Sequence, residues 1–345
     1  MISEHLIFSG VVGFVVSFCL CVMIIFASKR LHFFMDSANS EKPQRFHTDN
    51  TSRAGGMGIF IAFCCSYILF FGYDRLMLGL LFGAFIIFFS GLAEDFSSSL
   101  NPKIRLILQC FGTFLACFLM SVYIKDLSLG FELPKVLGVL FSIFALVGVT
   151  NAINIIDGFN GLASGVCLLI FGAIGFVAFE IGDKDIFEIC ILIIVAILGF
   201  FVLNFPKGKI FLGDGGAYFL GFLAGFLLIL LTQKNANVSA WFGLSVMIYP
   251  VWEVLFSIFR RKSKKLQAMQ PDSLHLHTLL FSALSKRTRI SSFKNAQTSL
   301  LLMLCNTPFI ALSCALYQNT PALITLSVGF MVLYSFCYIF LRRKV

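Results

Sequence analysis

The chain has 345 residues, 59% of them hydrophobic and 12% charged, with a mean hydropathy of +0.93 and a formal net charge of +9. A soluble domain carries roughly 25% charged residues, so this composition excludes a water-soluble globule, and a nucleic-acid partner would have no soluble domain to bind. Apolar runs long enough to cross a bilayer recur throughout, and the predicted fold class is all-α: a polytopic integral membrane helical bundle, one domain over 1–345.

Eleven spans are predicted, at about 6–28, 55–72, 76–93, 104–123, 135–150, 161–180, 186–205, 215–231, 239–259, 297–317 and 322–341. The first is longer than the apolar core of a signal peptide and starts with Glu4 and His5 instead of a positive charge, so it reads as a retained span. The runs at 135–150 and 215–231 are short, which predicts helices that are tilted, buried or continued by their flanks. All eleven cysteines lie in apolar runs without CxxC or Cys/His spacing, and read as small apolar fillers.

Placing the N-terminus outside and the C-terminus in the cytoplasm puts every Lys and Arg on the cytoplasmic side except Arg75, Lys125, Lys135, Lys184 and Lys234. Cytoplasmic loops carry the basic excess in membrane proteins, so this orientation is the expected one. The cytoplasmic loops are then 29–54, 94–103, 151–160, 206–214 and 260–295, and the net positive charge faces the anionic leaflet of the bilayer.

With this topology the acidic residues converge. The loop at 94–103 begins with adjacent carboxylates, Glu94 and Asp95; the stretch NAINIIDGFNGLASG holds Asp157 among Asn151, Asn154 and Asn160 and no cation; GDGG places Asp214 at a helix N-terminus. A single acid at a helix end is commonly a cap. Four at one membrane face are a different matter, because crowded carboxylates near lipid need a cation or hydrogen bonds to offset them. Hard oxygen donors are the ligand set of Mg²⁺, which commonly binds through one or two carboxylates plus substrate phosphates. Glycine-rich turns opening helices offer N–H groups to anions. The combination points to phosphoryl transfer. In the last cytoplasmic loop the sequence HLHT contains His275 and His277, which lack the HExxH arrangement of a zinc site and fit phosphate recognition better.

These residues resemble a known family. NAINIIDGFNGLASG is similar to the NxxNxxDGxDGLxxG signature of the polyprenyl-phosphate N-acetylhexosamine-1-phosphate transferases. GLAEDFSSSLNPKIRL resembles the family's GxxDDxxxxxxxKxR element, including Lys103, and NFPKGKIFLGDGGAYFLG its NxPxxxxFxGDxGSxxxG element, from Asn204 to Asp214. PVWEVLFSIFRR and HLHTLL resemble the P-acidic-RR helix and the HxHH loop, and KPQRFHTDNTSRAGGMGIF the element before the second span. The resemblance covers nearly the whole chain.

It implies a Mg²⁺-dependent enzyme (Mn²⁺ as a possible replacement) of the bacterial cytoplasmic (inner) membrane, with its active site on the cytoplasmic face. A phosphate oxygen of undecaprenyl phosphate would attack the β-phosphorus of a UDP-N-acetylhexosamine, with UDP-GlcNAc the leading donor, releasing UMP and starting a cell-envelope glycan such as O-antigen. Asp214 would be the metal ligand; Glu94 and Asp95 would orient or deprotonate the lipid phosphate or support the metal's water shell; Asp157, catalytic with them, would with Asn151, Asn154, Asn160 and Asn204 shape the nucleotide-sugar pocket; Lys103, His275 and His277 would contact phosphates. Four positions depart from the pattern: Glu94 for Asp, Asn160 for Asp, Ala217 for Ser and Thr278 for His. The phospho-MurNAc-pentapeptide transferases are the alternative branch, and a secondary transporter is the alternative class. A homodimer stays open.

Overall fold

In lipid only intra-segment hydrogen bonds satisfy the backbone, so long apolar stretches fold as helices. The computed structural model describes residues 3–31, 35–36, 51–73, 75–97, 100–263, 274–285 and 294–344. In chain order these form α1 (Glu4–Leu31), the antiparallel ribbon of β1 (Met35–Asp36) and β2 (Thr51–Ser52), α2 (Gly55–Phe71), α3 (Arg75–Ser97), α4 (Pro102–Met120), α5 (Lys135–Ile156), α6 (Leu162–Glu180), α7 (Lys184–Asn204), α8 (Gly213–Lys234), α9 (Ala240–Val246), α10 (Ile248–Ser263), α11 (Leu276–Ser285), α12 (Lys294–Ala315) and α13 (Thr320–Lys344).

Every one of the eleven expected spans is helical. Among the described residues nine helices are long and apolar enough to cross a membrane, and α9 with α10, bent by 75°, makes a tenth if counted as one span. The remaining one, α2, has 17 residues and at 1.5 Å per residue is about 26 Å long, slightly short of a hydrocarbon core of roughly 30 Å. The break between α9 and α10 has a local cause. Pro250 has no N–H to give the carbonyl of Val246 and its ring crowds that carbonyl, so α9 stops at Val246 while Pro250 is tolerated in the first turn of α10. The helix α11 was not expected. The first nine residues of the N-terminal motif element, 42–50, and residues 264–273 of the last basic loop lie outside the described residues.

The short apolar run at 215–231 turns out to be the axis of the molecule. It is extended by its flanks into α8, which is almost wholly enclosed by α2, α3, α5, α6 and α9. That enclosure explains why its sequence needs no lipid-facing stripe. Around it, α1 packs on α2 and α7, α12 on α6, and α13 on α9 and α11.

The N-terminus of α8 is held by backbone-to-backbone contact. A Cβ added at Gly56 would lie 2.3 Å from the Cα of Gly216, and one at Gly91 would lie 2.4 Å from the nitrogen of Gly215. Only glycine allows both approaches. The N–H groups of Gly55 and Gly56 donate to the carbonyls of Phe211 and Leu212, tying the start of α2 to the turn before α8.

Candidate active site

The site is built outward from the first turn of α8. Asp95, 7% exposed on α3, accepts hydrogen bonds from the backbone N–H groups of Asp214 at 2.9 Å and Gly215 at 3.0 Å. Its carboxylate thus covers the positive end of the α8 dipole. Gly213 makes this possible: its φ of 78° is the left-handed region, and a Cβ there would meet the carbonyl of Arg53 and an oxygen of Asp95.

Asp214 projects from that turn into a bracket of two donors. Its Oδ2 is paired with Arg105 Nη1 at 2.7 Å, and its Oδ1 accepts from Asn154 Nδ2 at 2.9 Å. Arg105 comes from the first turn of α4, and its Nη1 also lies 3.4 Å from the hydroxyl of Tyr218. The pair is mostly but not fully buried, at 19% and 24% side-chain exposure, which leaves room for a ligand.

The expected loop 151–160 is half helix. Asn151 and Asn154 lie on the last two turns of α5, three residues apart and so on one face. Asn151 Nδ2 donates to Gln109 of α4 at 2.7 Å and Asn154 to Asp214, so together they lash α5 to α4 and α8. Asp157 follows in the turn to α6. Part of the residue is open, yet its carboxyl lies deep enough that burial pushes its pKa up to about 7; the Asp214 charge adds to the rise, and Arg53 and the Gly213 N–H partly offset it. Asp157 and Asp214 therefore share one electrostatic site.

The other residues of the turn mostly hold it in shape. Asn204, 4% exposed, accepts from the Gly161 N–H at 2.6 Å and donates to the Ile210 carbonyl at 2.7 Å. Gly161, with φ 78°, lets the chain enter α6 there. Asn160 receives no such enclosure: its N–H meets Asn295 Oδ1 at 2.6 Å and its Nδ2 the Pro206 carbonyl at 3.1 Å, joining the two turns that flank the carboxylates.

His275 and His277 do share a face, their rings stacked at 5.2 Å, but both are buried, at 6% and 4% exposure, where a phosphate contact would face the cavity openly. His275 Nδ1 is 2.9 Å from Oε1 of Glu253, a carboxylate 1% exposed on α10, which also accepts the Leu276 N–H at 3.2 Å. His277 packs edge-on against Phe159 at 5.4 Å and its Nε2 faces Gly158. Glu253 is thus the anchor that presses the HLH segment onto the Asp157 turn. Burial, with His275 adding to it, pushes the His277 pKa down to about 4, from an unfolded value near 6.5. Both states are neutral above pH 6.5. As pH falls toward 4 the unfolded chain takes up the proton first and up to about 3 kcal/mol of stability is lost. The melting temperature of His277→Phe should therefore fall less steeply than that of wild type between pH 6.5 and 4.

Lys103 and Glu94 stand at the edge. Lys103 is exposed, its backbone N–H capped by Asn101 Oδ1 at 2.9 Å. Glu94 Oε2 accepts the Leu100 N–H at 2.9 Å, a link from the end of α3 to the residue before the Asn101 cap of α4. The structure brings Asp95, Asp157, Asp214 and Asn154 together, adds Arg105 and Arg53 to them, and sets Glu253 behind the HLH segment.

Among the described residues no three His, Cys, Asp or Glu side chains gather as a closed cation cage. The donors that Asp157, Asp214 and Asn154 offer are hard oxygens. That set fits a cation which keeps water and draws the rest of its shell from phosphate, as Mg²⁺ does.

Fold and site define a multi-pass membrane protein whose buried carboxylates gather at one end of the bundle. The family model described as "Glycosyl transferase family 4" matches residues 77–232, the segment from α3 to α8 that contains these carboxylates. A "Probable undecaprenyl-phosphate N-acetylglucosaminyl 1-phosphate transferase" of Bacillus subtilis is 30% identical over 291 residues, spanning 82% of this chain and 80% of its own length. Proteins described as "Undecaprenyl-phosphate alpha-N-acetylglucosaminyl 1-phosphate transferase" from Haemophilus influenzae and Yersinia pestis are 27% and 24% identical; the matches span 70% and 77% of this chain and 72% and 75% of those proteins. The chain belongs to glycosyl transferase family 4.

Proposed function

We propose that the protein transfers GlcNAc-1-phosphate from UDP-GlcNAc to undecaprenyl phosphate on the cytoplasmic face of the bacterial inner membrane. The observation that carries this reading is the convergence of Asp95, Asp157 and Asp214 on the N-terminus of α8, with Arg105 paired to Asp214. The names of the relatives supply the donor sugar and the acceptor.

A phosphate oxygen of the acceptor forms a bond to the β-phosphorus of the donor, the bond from that phosphorus to the bridging oxygen breaks, and UMP leaves. Such a transition state needs positioning and charge neutralisation more than covalent chemistry. Asp214, with Asp157 beside it, would hold Mg²⁺, which would neutralise charge on the pyrophosphate when bound. Arg105, already on Asp214, is placed to turn its guanidinium to a phosphate. Asp95 fixes the α8 turn from which Asp214 projects. Asn154, Asp157 and Asn160 border the nucleotide-sugar side, and the buried HLH segment closes it. An apolar groove of about 410 Å³ between α5, α8 and the bent α9–α10 pair, lined by Leu146, Val149, Leu228, Trp241 and Leu244, would seat the isoprenoid tail.

The test is UMP release by the purified protein with undecaprenyl phosphate, Mg²⁺ and a panel of UDP-sugars. UDP-GlcNAc is expected to give the highest rate, and EDTA to stop it. UMP release from UDP-MurNAc-pentapeptide alone would move the protein to the peptidoglycan branch, and no UMP from any donor would sink the proposal.

A further inference from the structure

The carboxylate centre is carried by α3, α8 and the turn after α5. On the outer wall of the bundle, the last turns of α10 and α13 border a separate open groove of about 520 Å³. Its wall is apolar, with Phe256, Phe259 and Ile339, and its rim is Arg260, Arg342 and Arg343. Phe259 is 72% exposed, so this wall faces lipid. Arg342 and Arg343 are exposed in the last turn of α13, where the negative end of the helix dipole favours cations. Topology accounts for arginines at that end; it does not account for a concave apolar wall beneath them. Guanidinium groups match phosphate geometry, and a basic recess between membrane helices at headgroup level matches an anionic amphiphile.

Arg260 ties this groove to the centre. Its Nη1 donates to the carbonyl of Leu274, the residue before His275, and to the Tyr338 hydroxyl at 2.5 Å, while its Nη2 reaches Ser257 Oγ at 3.2 Å. Its guanidinium also lies 5.5 Å from the Tyr338 ring centroid. One side chain is thus both rim of the groove and brace of the segment that His275 and His277 occupy. The groove's other wall, α13, packs on α9, α10, α11 and α12, so a molecule in it sits against a different set of helices from those bearing the carboxylates.

We infer that this groove binds one anionic bilayer phospholipid, separate from the polyprenyl-phosphate acceptor, and that its occupancy steadies the HLH segment through Arg260. The phosphodiester lies on Arg342 and Arg343 and an acyl chain on Phe256, Phe259 and Ile339.

The test compares wild type, Arg342→Gln/Arg343→Gln and a charge-matched control, Lys29→Gln/Arg30→Gln, whose residues are exposed in the last turn of α1. Each full-length protein is reconstituted in phosphatidylcholine nanodiscs with graded phosphatidylglycerol. Lipid retention is read by native mass spectrometry, and backbone hydrogen exchange is followed over 274–285. Wild type and control should retain one phosphatidylglycerol, and the double arginine variant should hold it about thirtyfold more weakly, the change that two surface cations produce. Phosphatidylglycerol should slow exchange over 274–285 in wild type and control only. Equal retention by all three proteins overturns the site, and an equal loss in the control reduces it to diffuse surface charge. Displacement of the lipid by undecaprenyl phosphate would make the groove an acceptor site instead, and unchanged exchange in wild type would overturn the coupling. None of these readings depends on which sugar the enzyme transfers.

Discussion

Asp214→Asn is expected to lower turnover about a thousandfold while the protein still inserts and folds, the scale of losing an electrostatic group that acts on the transition state. Asparagine keeps the shape of the side chain and an oxygen for Asn154 Nδ2 to donate to. It removes the charge that pairs with Arg105 at 2.7 Å and that would hold a cation. Restoring Mg²⁺ or Mn²⁺ to EDTA-treated wild type should recover activity; no metal concentration should recover the variant. If Asp214 were only a first-turn acid favouring the α8 dipole, the loss would be at most about 1 kcal/mol of stability with turnover nearly intact. Near-normal UMP release from Asp214→Asn at low Mg²⁺ would select that second reading.

The second large effect is expected at Glu253, and the size depends on what replaces it. Glu253→Leu leaves His275 Nδ1 and the Leu276 N–H buried without an acceptor, and each orphaned group costs roughly 1–3 kcal/mol. The HLH segment should lift from the Asp157 turn, with a lower melting temperature and a hundredfold or so lower kcat/KM, about 2.7 kcal/mol. Glu253→Gln keeps an oxygen at the same place and should retain most of both. A Glu253→Gln variant as damaged as Glu253→Leu would show that the negative charge, and not the acceptor, is what matters there. A Glu253→Leu variant that melts lower but turns over normally would make the contact structural only.

The helices were readable because lipid enforces a simple rule on apolar length, and α8 shows its limit. The shortness of 215–231 leaves a tilted, a buried and a flank-extended helix equally open, since a helix that is apolar all round reads alike in lipid and in protein; the structure shows it both extended and enclosed. Asn151 and Asn154 read as a loop because polar residues inside an apolar run look like its end; their spacing of three marks one face of a helix, which is what they occupy. The helix α11 is not legible in the sequence because ten residues between basic stretches are too few for a periodic pattern to stand out.

In the sequence Arg105 stands out only as a cytoplasmic-side cation and as the last letter of a motif. A signal for more was available. A cation in the first turn of a helix sits against the positive end of the dipole and calls for an acidic partner, and Asp214 is that partner. For Glu253 the sequence offered only an acid deep in an apolar helix, and its companion His275 lies 22 residues away across a stretch with no regular pattern.

The meeting of α8 with α2 and α3 through Gly56, Gly91, Gly215 and Gly216 divides the protein into parts that can change and parts that cannot. A methyl group at Gly56 or Gly91 would have to push backbone, not a flexible side chain, and every ångström of that displacement would be handed to Asp95 and Asp214. Selection for a new sugar donor would find no foothold there. It would find one where the turns touch through a single side chain, as Asn160 does with the Pro206 carbonyl, and where a substitution can reshape the pocket without moving the acids. The departure at Asn160 falls on such a turn; Thr278 is buried in α11, and Ala217, fully buried in α8, falls on the frame itself.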